Sequence, residues 1–107
     1  SEIRGTEVTA RDGEEVGEID QIMIDAERGR VAYALLSEGG FLGLGEEWVP
    51  VPFQALSWSG DEFTLGADAA KLKEMPRLRK EELPAQVSAS DVRTLYERFG
   101  VMPYWQG

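Results

Sequence analysis

The first 66 positions read as short strand segments punctuated by polar and glycine-rich turns, and only afterwards does the spacing of apolar residues become helical. Gly5 to Ala10 is a short strand candidate, closed by Arg11-Asp12-Gly13, whose Asp-Gly pair suits a tight hairpin turn. The next strand runs from about Glu15 to Ile24. Val16, Ile22 and Ile24 lie in one phase and Gly17, Ile19 and Met23 in the other, so the phase changes near Ile19 to Gln21. That change predicts a β-bulge, the usual device for bending a long strand. After the polar turn Asp25 to Arg30, Val31 to Ser37 is apolar on both faces, which predicts a central strand covered from outside by the later helices. The segment GGFLGLGEEWVPVPF, Gly39 to Phe53, joins a glycine-rich loop to a strand with Pro50 and Pro52, which belong at an edge or strand end because proline has no N–H to donate. Leu56 to Ser59 and Glu62 to Leu65 flank Gly60-Asp61 as a second hairpin.

Beyond Gly66 the pattern predicts a short helix capped by Asp68 that runs to about Glu74 and is ended by Pro76. Pro76 to Pro84 reads as a connector. Ser88 or Ser90 caps a longer helix, Asp91 to Phe99, stopped by Gly100, on which Val92, Leu95, Tyr96 and Phe99 form one apolar stripe. The tail VMPYW follows. The expected organisation is a small β-barrel domain over residues 1–75 and a helical C-terminal extension over residues 76–107, packing on the barrel or on a partner subunit.

The 107 residues carry 20 acidic and 11 basic side chains, a formal net charge of minus nine. Residues 1–66 hold 14 acidic and 4 basic residues, so this part repels a phosphate backbone and direct nucleic-acid binding is not expected. The basic segment around Lys71, Lys73, Arg77, Arg79 and Lys80 is interrupted by Glu74, Glu81 and Glu82. Cysteine and histidine are both missing from the sequence, which removes disulfides, thiol chemistry, imidazole acid–base chemistry and the usual zinc ligands. With no long apolar run and no export signal, membrane insertion is not expected and the cytoplasm is the expected compartment.

Taken in order, Asp12-Gly13-Glu14, Val16-Gly17, Ile19 to Asp25, Val31 to Leu36 and GGFLGLGEEWVPVPF followed by Ala55-Leu56 resemble the PRC-barrel family. That family is named for the cytoplasmic domain of the photosynthetic reaction centre H subunit, and it includes a ribosome-maturation factor and many stand-alone bacterial proteins. The resemblance covers about residues 3–75. It implies a mostly β fold, a small barrel of about six strands used as a binding module, with no shared catalytic residues. Neither a transmembrane helix like that of the H subunit nor a companion domain like that of the ribosomal factor is expected within these 107 residues.

Gly39, Gly40, Gly43 and Gly45 are followed by Glu46 and Glu47 and a strand rather than by Gly-Lys-Ser/Thr and a helix, so no phosphate cradle is expected. The adjacent pairs Glu14-Glu15, Glu46-Glu47 and Glu81-Glu82 read as solvated charge, because paired-carboxylate hydrolysis needs groups held across a cleft. Neither Asp25 with Glu27 nor Asp12 with Glu14 follows the calcium-loop pattern. No metal, cofactor or catalytic residue is therefore assigned. Phe41, Trp48, Tyr104 and Trp105 stand in a loop, on the outer phase of a strand and in the tail, all poor places to bury large rings without a covering surface. Two coverings compete: the chain's own barrel, or a second molecule. The expectation is a non-enzymatic adaptor that associates with protein, self-association as a homodimer included, through Phe41, Leu42, Trp48, Val92, Leu95, Tyr96, Phe99, Tyr104 and Trp105. The alternative is a ribosome-maturation-type factor that binds a basic ribosomal protein.

Overall fold

The computed structural model describes residues 3–37, 47–79 and 89–106. β1 (Glu7–Ala10) turns at Gly13, whose φ of 93° suits a residue without a side chain, into the long β2 (Glu15–Asp25). β3 (Arg30–Ser37) and β4 (Glu47–Pro52) follow. A 3-10 turn at Phe53–Ala55 leads into the hairpin β5 (Leu56–Trp58) and β6 (Phe63–Leu65). Then come α1 (Ala69–Lys73), the two-residue β7 (Leu78–Arg79), α2 (Ala89–Phe99) and a second 3-10 turn at Tyr104–Gln106.

Among the described residues the strands form one sheet in the order β5-β6-β1-β2-β3-β4-β7, seven strands rather than about six. Among the described residues no ladder joins β5 to β7, and the expected closed sheet is instead one with two free edges. Its pairings are antiparallel except β1 with β6, which is parallel. The seventh strand lies within the segment read as a connector: Trp48 of β4 pairs with Leu78, so the C-terminal extension contributes to the sheet itself.

Three residues interrupt the ladders of β2. Val16 is extra against β1, Asp20 is extra against β3 between the pairs Ile19↔Leu36 and Gln21↔Leu35, and Ala32 is extra on β3 between Met23↔Tyr33 and Ile24↔Val31. The phase change near Ile19 to Gln21 is thus the Asp20 bulge. A bulge leaves polar backbone groups outside the ladder. Here side chains supply the missing partners: Arg4 Nε donates to the Asp20 carbonyl at 2.8 Å, and the Tyr96 hydroxyl donates to the Ala32 carbonyl. Trp48 Nε1 adds a 2.7 Å bond to the Asp20 carboxylate.

β3 sits between β2 and β4, and Ala32 to Leu36 are all buried, as expected for a strand apolar on both faces. α2 lies over β4 and supplies Leu95 and Tyr96 to the same core. Pro50 and Pro52 pair with Leu35 and Tyr33, while β7 reaches only Glu47 and Trp48. Both prolines therefore occupy the part of β4 with a single ladder among the described residues, where a missing N–H costs nothing.

The helix ends show one departure from expectation. Asp68 occupies the cap position of α1 but makes no capping bond; its carboxylate accepts from Arg11 Nε at 3.2 Å. Asp12, in the β1–β2 turn, accepts instead from the Ala69 N–H at 3.3 Å. At the other end of the chain, Gly100 (φ 65°) closes α2 with its N–H to the Glu97 carbonyl and the Val101 N–H to the Tyr96 carbonyl, a Schellman motif.

Candidate protein interface

The apolar stripe of α2 and the tail pack on the chain's own sheet. Leu95, Tyr96 and Tyr104 are buried, and Val92, Phe99 and Trp105 are half-buried. Val92 and Leu95 line a cleft of about 210 Å³ with Tyr33, Pro50, Met75 and Leu78. Tyr96, Tyr104 and Trp105 form an edge-to-face trio with ring centroids 4.9 to 5.7 Å apart. The Lys71 ammonium stands 6.0 Å from the Phe99 ring, linking α1 to α2. Of the two coverings open to these aromatics, the first is the one observed within the chain.

Trp48 needs a correction. Its outer-phase position predicts exposure, but it is 7% exposed, because β7 pairs alongside it and the Asp20 bulge brings a carboxylate to its indole N–H. Tyr104, expected in an exposed tail, is also 7% exposed; its hydroxyl donates to Asp25 Oδ2 at 2.8 Å and Arg30 stands 5.9 Å from its ring. Phe41 and Leu42 lie outside the described residues.

Asp25 is the hub that holds the tail. One oxygen accepts from the backbone N–H groups of Glu27 and Arg28, and the other from Tyr104 and the Arg28 guanidinium. The Tyr104 hydroxyl, followed by Arg28, holds this carboxyl below the usual range. Burial, and then the Asp25 carboxylate, pushes Tyr104 up to about 12. Burial alone drives Tyr96 up to about 12 and raises Tyr33. Asp25 and Asp12 are thus both engaged in holding the chain's own elements. Among the described residues no group of three carboxylates converges to hold a metal ion.

The surface that remains open lies elsewhere. A groove of about 410 Å³ runs between the β1–β2 pair and α1. Val16, Gly17, Ala69 and Leu72 contribute apolar surface to it, while Glu7, Glu14, Glu15 and Glu18 stand around it, all exposed, with Lys73 as the one cation in its lining among the described residues. Glu7 and Glu18 are direct cross-strand partners. Like charges placed opposite each other destabilise a strand pair, so this edge of the groove carries a repulsion that a bound cation would relieve. Of the four glutamates, the adjacent-pair pattern picks out Glu14 and Glu15 alone, as solvated charge, and leaves Glu7 and Glu18 aside. The missed signal is a register shift: the Asp12-Gly13 turn alone would set Glu7 opposite Gly17, and the extra residue Val16 brings Glu18 there instead. Among the described residues three large apolar side chains outside the expected interface are exposed: Ile24, Trp58 and Met102.

No helix among the described residues is long and apolar enough to cross a membrane. A search of curated proteins finds no match. The family model for the PRC-barrel domain matches residues 1–78, through the last strand-forming region and up to Leu78 of β7. On this match, and with a mostly β fold carrying a C-terminal helix, the chain belongs to the PRC-barrel family.

Proposed function

We propose that this PRC-barrel protein is a non-enzymatic adaptor of the cytoplasm that works by protein–protein association, and that its docking face is the glutamate-rimmed groove between β1–β2 and α1. The observation that carries the reading is the combination, in one concavity, of an apolar floor with four glutamates and one lysine. Such a groove suits a lysine or arginine side chain: its aliphatic stem rests on the half-buried Val16 while its charged head stays among the carboxylates. A net charge of minus nine steers a basic partner towards it. In this respect the role resembles that of the reaction-centre H subunit's cytoplasmic domain, a barrel used for binding rather than catalysis.

The acidic groove also favours the second reading, a ribosome-maturation-type factor whose partner is a basic ribosomal protein. The two readings share a docking face and differ in the identity of the partner. Both are tested first with a fluorescently labelled oligolysine peptide, with oligoglutamate as control. Binding should fall steeply as salt rises, and a Glu15→Gln/Glu18→Gln double variant should bind about tenfold more weakly, which is about 1.4 kcal/mol. Equal affinity of parent and double variant would remove the groove from the proposal. A purified basic ribosomal protein in the same assay then separates the second reading from the first.

A further inference from the structure

We infer that the free edge of β5 is a self-association surface, on which a second copy of this chain adds its own β5 antiparallel about a two-fold axis through Ser57. The inference rests on the association reading above and concerns a different face of the molecule. Gly66 N–H donates to the Ala55 carbonyl and Ser59 N–H to the Glu62 carbonyl, so residues 55, 57 and 59 direct their backbone groups towards β6. The backbone groups of Leu56 and Trp58 therefore point away from the sheet. Leu56 N–H is already engaged, donating to the Phe53 carbonyl at the end of the 3-10 turn. This leaves the Leu56 carbonyl and the Trp58 N–H and carbonyl along an edge that pairs with no other strand among the described residues.

A two-fold copy meets this pattern. Pairing Leu56 with the other copy's Trp58 gives two equivalent bonds, each from a Trp58 N–H to a Leu56 carbonyl, and sets the two Ser57 residues face to face. Trp58, 57% exposed and resting edge-on against Phe63 at 4.9 Å, then extends over the other copy's Leu56. Charge favours the same place. Residues 48–60 are thirteen consecutive uncharged positions in a chain of net charge minus nine, and β5 lies within them. In this register Asp61 of each copy falls beyond the other's Gln54 rather than against another carboxylate. The edge also lacks the lysine, proline or inward charge with which sheets commonly discourage such pairing.

The chain has no cysteine, so Ser57→Cys creates a protein with a single thiol. Residues facing each other outside the hydrogen-bonded pairs have Cα atoms about 4.5 Å apart, within the reach of a disulfide. Under mild oxidation Ser57→Cys should form a disulfide-linked dimer far faster than Thr94→Cys, an exposed control on α2. Equal rates would mean random collision and would overturn the inference. Sedimentation gives a second, independent readout. Because both copies are strongly acidic, added salt should strengthen self-association, the opposite of its effect on a basic ligand in the groove. Ser57→Lys, which places two ammonium groups on the axis, should sediment as a monomer at every salt concentration. A parent chain that stays monomeric at high concentration and high salt would also overturn the inference, whatever the outcome of oligolysine binding.

Discussion

Replacing Tyr96 by Phe removes one hydroxyl and keeps the ring that packs against Tyr104 and Trp105. The hydroxyl serves the carbonyl of Ala32, the residue that the β2–β3 ladder leaves out. Tyr96 is 1% exposed, so water does not readily take its place. A buried carbonyl left without a donor costs about 1 to 3 kcal/mol. For a domain of this size that corresponds to a fall in melting temperature of about 5 to 15 °C. Urea unfolding is the assay: the midpoint should drop while the slope, which tracks the surface exposed on unfolding, stays the same. Tyr96→Ala removes the ring as well and should cost about 3 to 5 kcal/mol, as large-to-small core substitutions do. A Tyr96→Phe midpoint equal to the parent's would refute the claim that α2 completes the bulge, and would leave the helix held by ring packing alone.

Three further outcomes follow from the same contacts. Because Asp25 is held below the usual carboxyl range, its charged form favours the folded state; that contribution is complete above the ordinary range of about 3.9 and is lost as pH falls through the lowered value. Tyr104→Phe should move the Asp25 carboxyl titration, followed by NMR, back upwards and reduce this acid sensitivity. At the alkaline end Tyr96 and Tyr104, both raised to about 12, favour the fold as neutral phenols, so stability should hold below about pH 10 and decline between about 10 and about 12, as read by denaturation at fixed pH values. Asp12→Ala should destabilise the protein by about 1 kcal/mol through loss of the α1 cap, and more than Asp68→Ala does, in side-by-side urea titrations.

Much of this fold can be read locally. The Asp12-Gly13 and Gly60-Asp61 turns, the shift of phase at Asp20, the double-sided burial of Ala32 to Leu36 and the stop at Gly100 all follow from residues adjacent in the chain. What could not be read depends on which distant elements meet. The parallel pairing of β1 with β6 joins residues more than fifty positions apart, and a two-residue strand such as β7 is too short to show a period. The Asp12 cap on α1 is likewise a tertiary contact. The candidate interface divides the same way. A stripe of Val92, Leu95, Tyr96 and Phe99 announces a face to be covered, but not which surface covers it. The glutamate groove is assembled from residues that, taken singly, resemble ordinary solvated charge.

The unpaired residues at Asp20 and Ala32 bear on how this hairpin tolerates changes in chain length. Removing either one alone would keep every other cross-strand partner in place, because each already stands outside the count, and would straighten the strand locally. Removing a neighbour such as Ile22 would slide the remaining positions by one and turn interior side chains to the outside. Single-residue insertions and deletions among relatives should therefore gather at these two points, where curvature can be retuned without rewriting the interior.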